Sequence, residues 1–361
     1  MDSDLQRKSA RYRVVQWATG HIGTESLRQV IDHPDLDLVG LFVYSPNKVG
    51  VDAGQLCGRP DTGIRATNRI EDIVALDADF VLHMPMLEPS PENSDREVLS
   101  LLESGKNVIS IRGYFWPAWR GQAYEKKFLD ACRKGNATLH GNGICPGFVF
   151  DRMGPVLTSF CTAVKEVHFI EYFDLRMRPW HTIQDVIGLA TPPGSITIAH
   201  QTPRTLTTLY SEMYHLMAAQ WETEVVSIDL KLDWVPAEKD VVLSSGTVRA
   251  GTSVGTIWTW TIKMANGLLV TQKSHWYVDA IPGWDERNVW IVDIVGEPRF
   301  RCEMPLEVIG PDSLTAGGYD PNGRALAALC INAMPEVDAA PAGILKPTIF
   351  APWRARFFKE A

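Results

Sequence analysis

The sequence predicts an α/β chain, with a parallel doubly wound sheet over residues 10–145 and a second α+β domain with a mixed or antiparallel sheet over residues 146–309. Three observations predict this. At 361 residues the chain exceeds what one core holds, because single cores stop growing beyond roughly 250–300 residues. From Tyr12 to Gly141 short apolar runs alternate with amphipathic stretches, the rhythm of strands that return in parallel through crossover helices. After Pro146-Gly147 that rhythm stops and long alternating strand patterns take over. The pattern does not place the remaining segment, 310–361, in the fold.

In the first domain the strand runs are RVVQWA, LDLVGLFVYS, ADFVLHM, KNVISI and ATLHG. Between them lie the helix patterns SLRQVIDH, RIEDIVAL, DREVLSLLESG and YEKKFLDACRKG. Thr67 or Asn68 is placed to cap RIEDIVAL, and Gly105 and Gly135 to stop the helices that precede them. The second domain begins helix-like over Phe150–Phe160, continues as the strand VKEVHFIEYFDLR, and then as the helix TLTTLYSEMYHLMAAQW. Strand patterns VVSIDLKLDWV, TVRAGTSVGTIWTWTIKM, LLVTQKSHWYVD and RNVWIVDIVG follow. Asn266-Gly267 reads as a hairpin turn in which both residues take positive φ. The tail reads as one helix, NGRALAALCINAM, and a proline-rich end.

Composition narrows the function classes. Hydrophobic residues make up 45% and charged residues 22%, ordinary for a globular protein. A net charge of −8 argues against nucleic acid or an anionic membrane as partner, since either needs a basic face. No secretory signal pattern opens the sequence and no run of 18 apolar residues occurs, so a cytoplasmic location is expected. The six cysteines form no C-x-x-C pair and should stay reduced, and no metal is expected because no Cys/His cluster has ligand spacing.

Chemistry enters at Ala18-Thr19-Gly20-His21-Ile22-Gly23, which follows the first strand and opens the first helix. It matches G-x-G-x-x-G with alanine in the first place, the dinucleotide-binding turn of a Rossmann domain. Gly20 lets backbone approach a pyrophosphate, Gly23 lets helix and strand pack closely, and the amides of His21 and Ile22 face the phosphate charge. After the second strand stand Ser45, Asn47 and Lys48, where an enzyme using NAD would place an acid on the ribose 2′-hydroxyl. A hydroxyl, an amide and an ammonium suit a 2′-phosphate instead, so NADP(H) is the expected cofactor, with NAD(H) the alternative. Met84 and Pro85, and Gly113, follow later strands and should border the cofactor, because ligands of open α/β sheets bind outside the carboxyl ends of the strands; the crossing that holds Asn142 and Gly143 either passes its backbone against the nicotinamide or serves only as a hinge.

Together with HGNGICPGFVFDRM, YSPNKVGVDAG, LLESGKNVIS and INAMPEVDAAPAGI, the turn VVQWATGHIGTESL resembles the dihydrodipicolinate-reductase-like oxidoreductases. Within them it is most similar to the branch of 2,4-diaminopentanoate dehydrogenase and the native amine dehydrogenases. The resemblance runs from about Tyr12 to Gly343 and implies NAD(P)H, a small-molecule substrate, a homodimer formed through the second domain, and a C-terminal segment, 310–361, that packs back on the first domain. In the amine-dehydrogenase branch a glutamate just after the KNVISI-type strand handles the ammonia-derived nitrogen. This chain departs there, reading Arg112-Gly113-Tyr114-Phe115-Trp116-Pro117 with no acid.

The expected function is hydride transfer to or from a carbonyl or imine carbon of a small to medium, largely apolar substrate. Reductive amination through another acid is the rival within enzymes, and a cofactor-binding sensor without turnover the rival of another class. Reduction needs a proton donor or electrostatic partner for the developing charge. Tyr114, His140 and Glu171 are the candidates, with Tyr172, His275 and His181 behind them. Alternation puts Glu171 on one face with Val167, Phe169 and Phe173, so a buried face would raise its pKa and make it an acid. Twelve tryptophans point to bulky apolar surfaces in the core, the substrate pocket or a subunit interface.

Overall fold

Val14, Val15 and Trp17 of the first apolar run are fully buried, because this run is a central strand with a neighbour on each side. The computed structural model describes residues 11–86, 91–197, 200–306 and 321–354. In it the chain forms two units, Met1–Gly147 with Asn322–Lys346, and Phe148–Pro321 with Pro347–Ala361.

The first unit runs β1 (Tyr12–Trp17), α1 (His21–Asp32), β2 (Leu36–Phe42), α2 (Ala53–Cys57), α3 (Ile70–Val74), β3 (Phe80–His83), α4 (Glu92–Glu103), β4 (Asn107–Ser110), α5 (Gln122–Gly135) and β5 (Thr138–Gly141). The strands lie in the order β5-β4-β3-β1-β2, every pair parallel. Two apolar layers cover the sheet. One joins Val15, Val81 and Val108 to Val98, Leu101 and Phe128 of α4 and α5, and the other joins Val14, Leu82 and Ile109 to Val30 of α1. Gly105 follows α4 at φ 87°, as a helix stop should. Gly135 is different: it is the last residue of α5, and the left-handed stop is Asn136 at φ 51°. Glycine is needed at 135 because a Cβ there would lie 1.8 Å from the Leu102 carbonyl oxygen of α4.

The second unit opens with short helical turns around α6 (Gly154–Leu157), then β6 (Ala163–Asp174) and α7 (Gln201–Gln220). There follow β7 (Val225–Pro236), the small hairpin β8 (Val241–Leu243) and β9 (Gly246–Val248), β10 (Ser253–Met264), β11 (Leu269–Tyr277), β12 (Val289–Glu297) and β13 (Phe300–Pro305). The sheet order is β13-β12-β6-β11-β10-β7, antiparallel except for the β6–β11 pair. On one face α7 is fixed by Tyr214, whose hydroxyl donates to Gln272 Oε1 at 2.8 Å, and by Trp260, whose indole donates to Thr207 at 2.9 Å. In the β10–β11 turn only Gly267 takes a positive φ; Asn266 instead accepts the Leu268 amide with its side chain. Such side-chain bonding gives Asn its place in turns without requiring the left-handed region.

The tail holds two helices rather than one, α8 (Pro321–Asn332) and α9 (Met334–Ala339). Pro335 has no N–H and clashes with the preceding turn, so the helix breaks at Ala333 and restarts with Pro335 in its first turn. Cys330, Ile331, Met334 and Val337 join the apolar layer of the first unit, and β14 (Gly343–Ile344) pairs in parallel with β5 as its outer neighbour. Residues 310–320 and 355–361, part of the expected C-terminal segment, lie outside the described residues. Among the described residues no helix is long and apolar enough to cross a membrane.

Candidate functional site

At the β1–α1 turn each position has its own steric reason. Ala18 stands at φ 72°, the left-handed conformation that glycine adopts freely and that costs another residue about 1–2 kcal/mol. A Cβ on Gly23 would lie 2.2 Å from the Ala18 carbonyl oxygen, so helix and strand demand glycine there. A Cβ on Gly20 would meet no protein atom within 4 Å, so the fold itself makes no such demand at this position. Gly20 caps α1 without a side-chain bond, and the first turn carries no acid. The N-terminal end of α1 thus has neither a side-chain cap nor an acid of its own, and such helix ends favour anions.

At the adjoining end of β2, Ser45 and Asn47 are exposed and Lys48 is half-buried. Lys48 is held against the turn: its Nζ donates to the Thr19 carbonyl at 2.9 Å and to Thr19 Oγ1 at 3.1 Å. Beside it runs a hydrogen-bonded chain that the sequence did not disclose. The Trp17 indole donates to the Tyr44 hydroxyl at 2.9 Å, and that hydroxyl donates to Glu97 of α4 at 2.8 Å. Glu97 also meets Nε2 of the fully buried His83 at 3.0 Å, and His83 Nδ1 meets Ser110 Oγ at 2.9 Å. Ser110 Oγ in turn accepts the Arg112 amide at 3.1 Å, so the chain ends at the loop after β4. A carboxylate does stand near the end of β2, then, but α4 supplies it and Tyr44 and His83 engage it.

Towards β4 and β5, Met84 and Pro85 are buried directly after β3. Gly113 takes φ 108°, and the end of β5 packs under it so closely that a Cβ on Gly141 would lie 2.5 Å from the Gly113 oxygen. Asn142 uses its side-chain amide on the Leu329 carbonyl of α8 at 2.9 Å, and Gly143 folds over Pro146 at φ 158°. The Asn142 amide donates to the Ser110 carbonyl and the Gly143 amide to Asn142 Oδ1, each at 2.9 Å, so both backbone N–H groups of these two residues are engaged within the chain.

The three expected proton donors each have another partner. Tyr114 stands at φ 68°, which turns its ring into the core beside Phe128, and its hydroxyl donates to Asp95 at 2.9 Å. Burial, with the neighbouring Asp95, pushes this phenol well above its ordinary range, and burial also raises Asp95. His140 is buried, and its Nδ1 lies 3.0 Å from the Leu345 carbonyl, pinning the chain after β14. Glu171 is buried on the α7-covered face as expected from alternation, and burial raises its pKa. Its two oxygens, however, accept the indole N–H groups of Trp276 at 2.6 Å and Trp290 at 2.8 Å, bonds that favour the anion over the acid. Tyr172 stacks on His275 on the opposite face, with ring centroids 4.4 Å apart; His181 is exposed.

Sequence reasoning also missed a group at the far end of the same strand edge. Lys346 stands two residues beyond β14, its Nζ 2.7 Å from Glu125 Oε1 in the first turn of α5 and 4.2 Å from the centroid of the Trp116 ring. Among the described residues no cluster of three or more His, Cys, Asp or Glu is placed to hold a metal ion.

No protein-family model matches the chain. It is 30% identical over 166 residues to an amine dehydrogenase of Streptomyces virginiae, a match that spans 44% of this chain and 45% of that protein, less than half of its length. Its fold is similar to that of an amine dehydrogenase from Mycobacterium smegmatis, with a TM-score of 0.76 at 17% identity over 94% of this chain and 97% of the other. The fold of myo-inositol 2-dehydrogenase from Lactobacillus plantarum is also similar, with a TM-score of 0.56 at 12% identity over 94% and 92% of the two chains.

Proposed function

We propose that the chain is a nicotinamide-dependent oxidoreductase of the dihydrodipicolinate-reductase-like kind. In this reading it prefers NADP(H) and transfers hydride to or from a carbonyl or imine carbon of a small, largely apolar substrate. The first unit holds the cofactor and the second holds substrate. The observation that carries this reading is the β1–α1 turn, where glycine is sterically required at 23 but not at 20, next to uncapped helix amides and the ammonium of Lys48. That donor set fits a pyrophosphate and a ribose 2′-phosphate. When bound, the cofactor supplies the hydride; the protein orients, excludes water and manages the proton.

Cofactor choice is tested by titration calorimetry with NADPH and NADH. Lys48→Ala should weaken NADPH about ten- to a hundredfold and NADH little, the worth of one charge-assisted hydrogen bond of about 1.5–3 kcal/mol. Ser45→Asp should act in the same direction through repulsion of the 2′-phosphate. Equal affinity of the parent for both cofactors, untouched by Lys48→Ala, would leave Lys48 as a brace for Thr19 and remove the NADP preference.

The similarity to a protein named amine dehydrogenase favours a second reading, reductive amination of ketones or aldehydes. Consumption of NADPH with a ketone panel, with and without ammonium, separates the two, since only amination requires ammonium.

The assembly we propose is a homodimer through the second unit. Ile170, Tyr172 and Ile257 lie half-buried on the sheet face opposite α7, which also carries Lys231, Lys273 and Asp293, and a sheet face of this mixed kind needs a cover on its apolar positions. Light scattering at micromolar concentration should give twice the chain mass, and the mass of a single chain would exclude this assembly.

A further inference from the structure

We propose that Lys346 is a catalytic residue that stabilises and then protonates the heteroatom of the bond being reduced, with Glu125 and Trp116 fixing its ammonium. The proposal rests on the oxidoreductase reading above. Its basis is position. Leu345 is tied to β5 on both sides of its peptide, its amide donating to Leu139 at 2.8 Å and its carbonyl facing His140 Nδ1 at 3.0 Å. The next residue, Lys346, is thereby delivered to the carboxyl edge of the parallel sheet, beside the ends of β4 and β5, where ligands of such sheets bind.

Its ammonium is then directed by two groups from different elements. Glu125 accepts one of its three N–H bonds, and the face of Trp116, in the loop after β4, lies against it. Stability alone is a weak reason for this arrangement: Lys346 and Glu125 keep 31% and 19% of their side-chain exposure, and partly exposed pairs contribute about 0–1 kcal/mol.

Chemistry gives a stronger reason. Arg112 and Arg120 are the neighbouring cations of this loop, and a guanidinium does not release its proton. The Tyr114 hydroxyl is engaged by Asp95, and His140 Nδ1 faces Leu345. An ammonium can do both parts of the task. The substrate carbon gains a hydride and the reduced nicotinamide is oxidised; the π pair of the C=O or C=N bond moves onto the heteroatom. That atom takes a proton from Lys346 Nζ, and the resulting neutral amine is reprotonated by water, with Glu125 keeping it in place.

The test has a readout that needs no substrate. Reductive methylation of the whole protein with ¹³C-formaldehyde gives each lysine an NMR signal, and Lys346→Arg identifies the signal of Lys346. NADPH should shift that signal, whereas 2′,5′-ADP, the adenosine half alone, should not. If NADPH binds and the signal does not move, Lys346 is remote from the nicotinamide and the proposal fails while the cofactor reading stands. If NADPH does not bind at all, both fail.

Turnover completes the test, on a panel of cyclic and aromatic ketones with and without ammonium. Lys346→Met should lower kcat at least about a hundredfold, the worth of a positioned acid, with the Kd for NADPH within about twofold of the parent. Lys346→Ala should regain activity with added ethylamine. Loss of kcat without rescue, or loss accompanied by a lower melting temperature, makes the residue a structural latch and overturns the proposal. Full activity in Lys346→Met also overturns it, and a parent inactive on every substrate overturns the reduction reading with it.

Discussion

Gly20→Val is expected to weaken NADPH binding by more than about a hundredfold while leaving thermal unfolding nearly unchanged, and Gly23→Val to unfold the first unit instead. The two glycines lie three residues apart in one turn, and the motif assigns the first to ligand approach and the second to packing. The structure separates them. At Gly23 the added Cβ would lie 2.2 Å from the Ala18 oxygen and 2.9 Å from its carbon, backbone atoms that cannot move without opening β1 from α1. Overpacking of this kind costs about 1–3 kcal/mol and more when backbone is the obstacle.

At Gly20 an added Cβ meets no protein atom within 4 Å, and the backbone there, at φ −71° and ψ −168°, is extended rather than left-handed. Valine would instead occupy the approach of a pyrophosphate to the helix amides. Calorimetric titration beside a circular-dichroism melt reads both effects. A lowered melting temperature for Gly20→Val would give that glycine a structural role, and unchanged NADPH affinity would take the turn out of the cofactor site.

The first unit was legible because its punctuation is local. Each strand run ends where a cap, a glycine or a proline stands, and the glycine turn sits where a strand meets a helix. What escaped was supplied by distant segments. Glu97 reaches Tyr44 and His83 from α4, and Lys346 reaches Glu125 and Trp116 from just beyond a strand of two residues, too short to carry a pattern. Such meetings follow from strand order, which no single stretch of sequence encodes. Tyr114 shows the opposite failure: it stands in the right loop, but φ 68° turns it inward.

In the second unit alternation gave the faces of β6 correctly, because period two holds whatever the neighbours are. It did not give the neighbours. The parallel pairing of β6 with β11 joins Glu171 to Ser274, and the antiparallel pairing with β12 joins it to Trp290. Register of that range decides what surrounds Glu171, and so whether its carboxyl is an acid or an acceptor.

Glu171→Leu is the substitution that decides this, with an expected net loss of about 2–4 kcal/mol from the second unit. Two opposed effects set the sign. Removing the carboxylate relieves the desolvation of a buried charge, the largest influence on its pKa. It also leaves the Trp276 and Trp290 indoles without their acceptor, and each buried unsatisfied donor costs about 1–3 kcal/mol. With both indoles orphaned, the second effect should prevail.

The pH dependence provides an independent check. A carboxyl whose folded pKa lies above its ordinary value of 4.5 contributes stability that is fully present below that value and is lost as pH rises through the folded pKa. Denaturant melts of the parent across this interval should therefore show a decline that Glu171→Gln lacks, since an amide does not titrate. A Leu variant more stable than the parent, and inactive, would reverse the assignment. The indole pair would then be holding a destabilising anion in place for the reaction, and Glu171 would return as a group that acts on substrate.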